Sequence, residues 1–79
     1  MAGGGDFITD LADRLARDAL AAEEELQDDR LIEQLSTTIG AASMTLQEAF
    51  MTSVRIRRAE KRGRAWLEQR ITSAKAAAE

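Results

Sequence analysis

Residues 45–76, TLQEAFMTSVRIRRAEKRGRAWLEQRITSAKA, contain no proline and only one glycine, Gly63. Apolar residues recur in this stretch at intervals of three and four, which is the spacing of one side of an α-helix. One glycine costs a helix about 1 kcal/mol and does not have to end it. The stretch therefore predicts a helix over about 40 Å long. A compact chain of 79 residues is only about 30 Å across, so such a helix must either project or break.

The two halves of this helix have their apolar sides in nearly opposite directions, at about 100° of rotation per residue. The apolar residues of the first half are Leu46, Phe50, Met51 and Val54. We expect these to pack on the rest of the chain, because one straight neighbour cannot cover both sides. The second half should then pack on a second copy or on another protein. Its predicted interface residues are Ile56, Ala59, Gly63, Trp66, Leu67 and Ile71.

Two shorter helices are predicted before residue 45, over about residues 6–27 and 29–39. The apolar stripe of the first consists of Ile8, Leu11, Ala12, Leu15, Ala19, Ala22 and Leu26. The apolar face of the second consists of Leu31, Ile32, Leu35 and Ile39. The acidic residues between the two stripes suit the start of a helix better than its end, which indicates a break there. One continuous bent helix is the alternative.

Polar residues and glycines predict where the helices begin and end. Asp6 is a favourable N-cap for the first helix, and either aspartate at 28–29 for the second. Gly40 predicts the end of the second helix, since glycine readily adopts the conformation found after a helix. The third helix can be capped by Ser43 or by the first residue of Thr45–Glu48, which matches the capping-box pattern.

These features predict an all-α fold of two or three helices with a long C-terminal helix, a helical bundle completed by oligomerisation. Residues 1–5 are expected to be a flexible lead, and residues 6–79 (helices about 6–27, 29–39 and 45–76) a single helical domain. A chain this short buries only about 60% of the surface that it exposes when unfolded. Its three aromatic residues are few for a self-sufficient core, so a second copy is the expected source of the missing burial.

The composition excludes most catalytic chemistry. The chain has no His and no Cys, and therefore neither an imidazole base nor a thiolate nucleophile, and none of the usual zinc ligand sets. Its Ser and Thr residues have no histidine to activate them. We therefore expect a protein that is not an enzyme and that has no cofactor and no metal site.

The setting expected from the sequence is the bacterial cytoplasm. Residues 2–6 are Ala-Gly-Gly-Gly-Asp rather than the basic and hydrophobic regions of a signal peptide. No apolar run approaches the roughly 20 residues of a membrane helix, so no membrane partner is expected. Nine Arg against two Lys, with many Ala, are typical of GC-rich bacterial genomes.

Charge is divided unequally along the chain. Residues 1–35 carry ten acids and three bases, whereas residues 36–79 carry four acids and eight bases. The two halves can therefore attract each other, within one chain or between two chains. The predicted basic face, available to a polyanion or to an acidic partner, consists of Arg55, Arg57, Arg58, Lys61, Arg62 and Arg64.

Protein–protein contact is the predicted function, with the chain as a small homodimeric adaptor or a regulatory, including inhibitory, protein. The alternative is a nucleic-acid-binding regulator that uses the basic face or a weak helix-turn-helix at residues 31–50. Gly40 would lie in the turn of that motif. Its second helix would carry no base, because none occurs between Arg30 and Arg55, whereas phosphate contacts usually dominate DNA affinity. Protein contact is therefore favoured.

Overall fold

The structure, a computed structural model, describes the backbone of residues 4–78 and the side chains of residues 7–78. Three α-helices and no strand occur in this part of the chain: α1 (Gly4–Leu26), α2 (Leu31–Ala42) and α3 (Met44–Ala78). The predicted all-α class is confirmed, and the helix bounds lie within three residues of the predicted ones. Gly4 and Gly5 belong to α1, and the part of the predicted flexible lead at residues 1–3 lies outside the described residues.

A left-handed residue separates α1 from α2. Gln27 has a φ of 52°. Around it, the Asp28 N–H donates to the Glu23 carbonyl at 3.1 Å and the Gln27 N–H to the Glu24 carbonyl at 3.3 Å. This pair of bonds is the Schellman arrangement, which satisfies carbonyls left free at the helix end. The predicted break is therefore confirmed, and the alternative of one continuous bent helix is wrong.

Replacing Gln27 by glycine should stabilise the protein by about 1 kcal/mol, because a side chain in the left-handed region crowds its own backbone. In a chain of this size we expect a rise in Tm of roughly 4–8 °C. Thermal unfolding followed by circular dichroism measures the shift. Gln27→Ala is the matched control, and it should leave Tm nearly unchanged because alanine keeps the Cβ atom. Equal effects of the two substitutions would contradict a left-handed Gln27.

The predicted aspartate caps are wrong for both N-terminal helices. α1 begins at Gly4, so Asp6 lies inside its first turn rather than before it. The N-cap of α2 is Arg30, which makes no capping bond through its side chain. Asp28 instead closes the turn before α2: its Oδ1 accepts from the Arg30 N–H at 3.1 Å, and its carbonyl from the Leu31 N–H at 3.2 Å.

A single extended residue, Ser43, joins α2 to α3. Its N–H donates to the Ile39 carbonyl at 2.8 Å, which ends α2, and its Oγ accepts from the Leu46 N–H at 3.1 Å, which caps α3. The prediction of Ser43 as a cap is thus confirmed. The capping box at Thr45–Glu48 is wrong, since these residues already lie within α3.

Gly40 does not end α2 as predicted, because the helix continues through it to Ala42. A Cβ at Gly40 would overlap the side-chain amide of Gln47, coming within 2.6 Å of its Cδ. That amide donates from Nε2 to the Ser36 carbonyl at 2.9 Å. Glycine here leaves room for the Gln47 amide, which a larger residue would displace, and its own φ is not positive.

The core joins the first half of α3 to the other two helices. Phe50 and Val54 are fully buried and are its largest fully enclosed side chains. The remaining buried residues are Ala12, Ala16 and Ala19 of α1 and Ile32 and Ile39 of α2. Leu46 and Met51 pack against this cluster from its edge. The predicted packing of the first half of α3 on its own chain is therefore confirmed.

The middle of α1 crosses α3, instead of the whole helix lying along it. Asp13 and Glu23 are about 15 Å apart along α1 but bind the adjacent residues Arg57 and Arg58 of α3. A crossing covers only the centre of a helix. The predicted α1 stripe is therefore too long: its last residue, Leu26, is 65% exposed.

α3 is continuous and projects beyond the packed region. Its 35 residues span about 52 Å, close to the longest dimension of the molecule, 56 Å. The radius of gyration is 16.5 Å, against about 12 Å for a compact chain of this length. Every residue from 58 to 78 is exposed. We call residues 58–78 the tail, and α1, α2 and residues 44–57 of α3 the head.

Candidate interaction surface on α3

The second half of α3 carries an uncovered apolar surface, which we call the distal face: Ile56, Ala59, Gly63, Trp66, Leu67 and Ile71. All six residues are exposed in the single chain. Ile56 and Trp66 retain 63% and 66% of their accessible surface, and Leu67 retains 49%. Large apolar side chains grouped in this way are typical of surfaces that bind another protein.

The distal face points away from the core. At about 100° per residue, five of its six members lie about 120–160° around α3 from the mean direction of Phe50 and Val54, and Ile71 lies about 80° from it. These two residues are buried against α1 and α2, so both helices lie on the other side of α3. The structure thus leaves the distal face open along its length to any partner that approaches from outside.

Gly63 lies in the middle of the distal face. A Cβ built there meets nothing within 4 Å in the chain. The chain itself therefore provides no packing reason for glycine at this position. A missing side chain would instead allow the backbone of an external helix to approach closely.

The predicted basic face is partly neutralised within the chain. Arg57 binds Asp13, Arg58 binds Glu23, and Arg64 binds Glu60 one turn away. Arg55, Lys61 and Arg62 form no ion pair within residues 7–78. Half of the six side chains are thus engaged by acids, and the surface free to bind a polyanion is narrower than predicted.

The strongest polar contact between α1 and α3 is a clamp at Asp13. Its Oδ1 accepts from Arg57 Nε at 2.7 Å and from Ser53 Oγ at 2.5 Å, and its Oδ2 accepts from Arg57 Nη2 at 2.8 Å. The Arg57 bonds first, and the Ser53 bond second, hold the pKa of Asp13 well below its usual range. The same contact raises the pKa of Arg57. This clamp joins the acidic and basic halves within one chain.

The clamp should make folding sensitive to acid. Because the pKa of Asp13 is lower in the folded than in the unfolded chain, the clamp stabilises fully above about pH 4 and is lost as the pH falls further. Asp13→Asn should therefore be less stable than the natural chain at pH 7, and the difference should shrink by pH 2. Urea unfolding at both pH values measures this.

Asp10→Asn is the control for this experiment, since Asp10 is exposed and forms no ion pair within residues 7–78. Its unfolding free energy should follow that of the natural chain at both pH values. A difference between Asp13→Asn and the natural chain that stays constant from pH 7 to pH 2 would contradict the clamp.

The segment compared with a helix-turn-helix has a different junction. That motif joins its helices by three or four residues, whereas Ser43 alone joins α2 to α3. Gly40, expected in the turn, lies within α2. The first exposed base of α3 is Arg55, more than ten residues into the helix. This geometry does not present the start of α3 as a basic recognition helix.

Sequence reasoning did not foresee the Asp13 clamp or a second exposed apolar patch at the start of α1. The nearest base to Asp13 along its own helix face is Arg17, four residues on, but Arg17 lies 3.8 Å from Asp18 and Asp13 binds Arg57 instead. Phe7 is 66% exposed, and Leu11 beside it is also exposed. The Asp13 clamp depends on where α1 meets α3, which no local spacing encodes.

The described residues contain neither a metal-binding cluster nor a membrane span. No three acidic side chains among residues 7–78 are grouped to hold an ion. No helix within residues 4–78 is both long and apolar enough to cross a membrane. Comparison of the chain with models of protein families, with curated proteins and with solved structures finds no match.

Proposed function

We propose that this chain is a non-enzymatic helical protein that acts through protein–protein contact, as a homodimeric adaptor or regulatory protein. The observation that carries the proposal is the distal face: large apolar side chains, exposed and grouped on the side of α3 opposite its own core. The cytoplasmic and bacterial setting favoured by the composition belongs to the same proposal.

A second copy is the partner that the charges favour. Residues 1–35, which include α1 and the start of α2, carry ten acids and three bases. Between Lys61 and Ala78 the tail carries five bases and one acid. Each copy therefore offers an acidic end and a basic end, and two copies can satisfy each other.

The small core points in the same direction. Only seven described residues are buried, and three of them are alanines. A chain this short gains stability when a second copy covers apolar surface that it leaves exposed. Covering the distal face would remove Ile56, Trp66, Leu67 and Ile71 from water in both copies, which is the largest gain that the exposed surface of α3 offers.

Analytical ultracentrifugation at micromolar concentration tests the proposal. We expect a species of twice the chain mass of 8.7 kDa, which dissociates on dilution. The affinity of self-association should fall as the salt concentration rises. A well-folded monomer at these concentrations would overturn the homodimer. Circular dichroism of the same samples shows whether the chain is folded.

Nucleic-acid binding is the second candidate, and it rests on the exposed side chains of Arg55, Lys61 and Arg62. Filter binding of RNA and DNA across a salt series decides between the two. Tight, strongly salt-dependent binding would replace the proposal by this alternative. We expect no binding above the background of a scrambled basic peptide, since half of the basic face is engaged by acids.

A further inference from the structure

Resting on the proposed homodimer, we infer that the α3 helices of the two copies pack antiparallel along their distal faces, with Gly63 at the crossing point. Each tail then lies beside the head of the other copy. The distal face of one copy is thus covered by the distal face of the other. Charge, side-chain size and the position of the head support this arrangement.

Charge favours the antiparallel arrangement. In a parallel pair, the two acidic ends would lie side by side, and so would the two basic tails. In an antiparallel pair, the basic tail of one copy runs along residues 44–57 of the other copy's α3, with the acidic α1 and α2 on the far side of that helix, and the two basic tails point in opposite directions. Like charges side by side disfavour an interface, and opposite charges favour it.

The distal face is complementary in side-chain size on the two sides of Gly63. Four residues before it is Ala59, and four residues after it is Leu67. Ile56 and Ile71 lie seven residues before and eight after. In an antiparallel pair centred on Gly63, Leu67 faces the partner's Ala59, so that a large side chain meets a small one. Gly63 faces the partner's Gly63, and the absence of a side chain on both residues permits the two helix backbones to approach most closely there.

The edges of the face also fit this register. On one edge, Glu60 lies beside the partner's Arg64, and the two Glu60–Arg64 pairs join into a network of four charges. On the other edge, Arg62 lies beside the partner's Trp66, at a position suited to a cation–π contact. Arg55 lies at the rim, whereas Arg70 lies within the face, about 20° around the helix from Gly63 and opposite the partner's Ile56. The long side chain of Arg70 must therefore extend past the apolar contact to reach water.

The head does not obstruct this packing. α1 and α2 pack on the Phe50 and Val54 side of α3, nearly opposite the distal face. The partner helix can therefore lie along α3 past the tail, next to small residues on the same side of the head. Thr45 and Thr52 are exposed there, whereas Ala49, on the same side, is half-buried against the core.

Distances between spin labels on the two copies test the orientation. Because the chain has no natural cysteine, a single introduced cysteine is the only position that is labelled. Lys61→Cys and Thr72→Cys place a label on exposed positions outside the distal face. In the antiparallel pair, the separation along the axis is twice the distance from Gly63. It is about 6 Å for residue 61 and about 27 Å for residue 72. The Thr72 labels should therefore be distinctly farther apart than the Lys61 labels.

A disulfide tests the crossing point. In the Gly63→Cys variant, the two cysteines at position 63 of the two copies lie against each other. After oxidation we expect a covalent dimer on a non-reducing gel. Thr72→Cys, about 27 Å from its copy along the axis, should remain a monomer on that gel.

The possible outcomes separate this inference from the proposed function. Equal label separations at residues 61 and 72 in a dimer mean parallel helices, which overturns the inference and leaves the homodimer standing. A disulfide at 72 but not at 63 overturns the register. Absence of any distance between labels, together with a monomer mass, overturns the homodimer itself.

Discussion

Phe50→Ala should destabilise the head by about 3–5 kcal/mol, the usual cost of truncating a large aromatic residue in a core. Phe50 is fully buried and belongs to the seven-residue core that joins all three helices. A domain of 79 residues, at roughly 0.05–0.15 kcal/mol per residue, is stable by about 4–12 kcal/mol, so the loss removes a substantial part of the total. We expect much of the helical signal to be lost at 37 °C. Urea unfolding monitored by circular dichroism measures the change.

Phe7→Ala provides the same chemical change at an exposed position. Phe7 is 66% exposed, and its truncation should change the unfolding free energy by no more than about 0.5 kcal/mol. Equal losses for Phe50→Ala and Phe7→Ala would mean that the core does not lie where the structure places it. Because both variants lose the same atoms, the comparison isolates burial.

Much of the architecture of α3 could be predicted, because it depends on the spacing of apolar residues within that one helix. The rotation of about 100° per residue separates Phe50 and Val54 from Leu67 without knowledge of any neighbour. The absence of proline sets the length. The structure confirms that the first half packs on the chain's own helices and shows that the second half is exposed. What covers the second half in solution stays a prediction.

The helix ends were harder to predict, because preference by residue type is weak where tertiary contacts decide. Gln27 adopts a left-handed conformation that glycine or asparagine would have signalled. Gly40 carried the signal of a helix end but serves the approach of Gln47. At Gln27 the turn that ends α1 overrides the residue's own preference, and at Gly40 a side chain from the next helix does so.

The apolar stripe of α1 was predicted as a line, but the structure buries only its centre. Periodicity shows which side of a helix is apolar and cannot show the angle at which the neighbour crosses. That angle also brings Asp13 to Arg57 and Glu23 to Arg58. The candidate surface on α3 needed no such angle, and its six residues were available from spacing alone.

Leu67→Glu should dissociate the proposed dimer while leaving the head folded. Each copy would bring a carboxylate into the apolar contact, and burying an unpaired charge is costly. We expect the Kd of self-association to rise at least about 100-fold, which corresponds to about 2.7 kcal/mol. Leu67 makes no part of the described core, so the helical signal of the head should persist. Sedimentation over a concentration series, with circular dichroism on the same samples, measures both quantities.

Thr72→Glu is the control, because it adds the same charge to the same tail five residues away, on an exposed position outside the distal face. General charge effects on the basic tail should be equal in the two variants, so the difference between them reports the contact at residue 67. If Leu67→Glu leaves the sedimenting mass unchanged, the distal face is not the interface, even when the natural chain is a dimer. If both variants dissociate equally, the tails associate through charge alone, and the apolar contact at residue 67 does not contribute to the affinity of the dimer. A dimer lost in Leu67→Glu and kept in Thr72→Glu is the expected result, because only residue 67 lies on the side of α3 that the head leaves open.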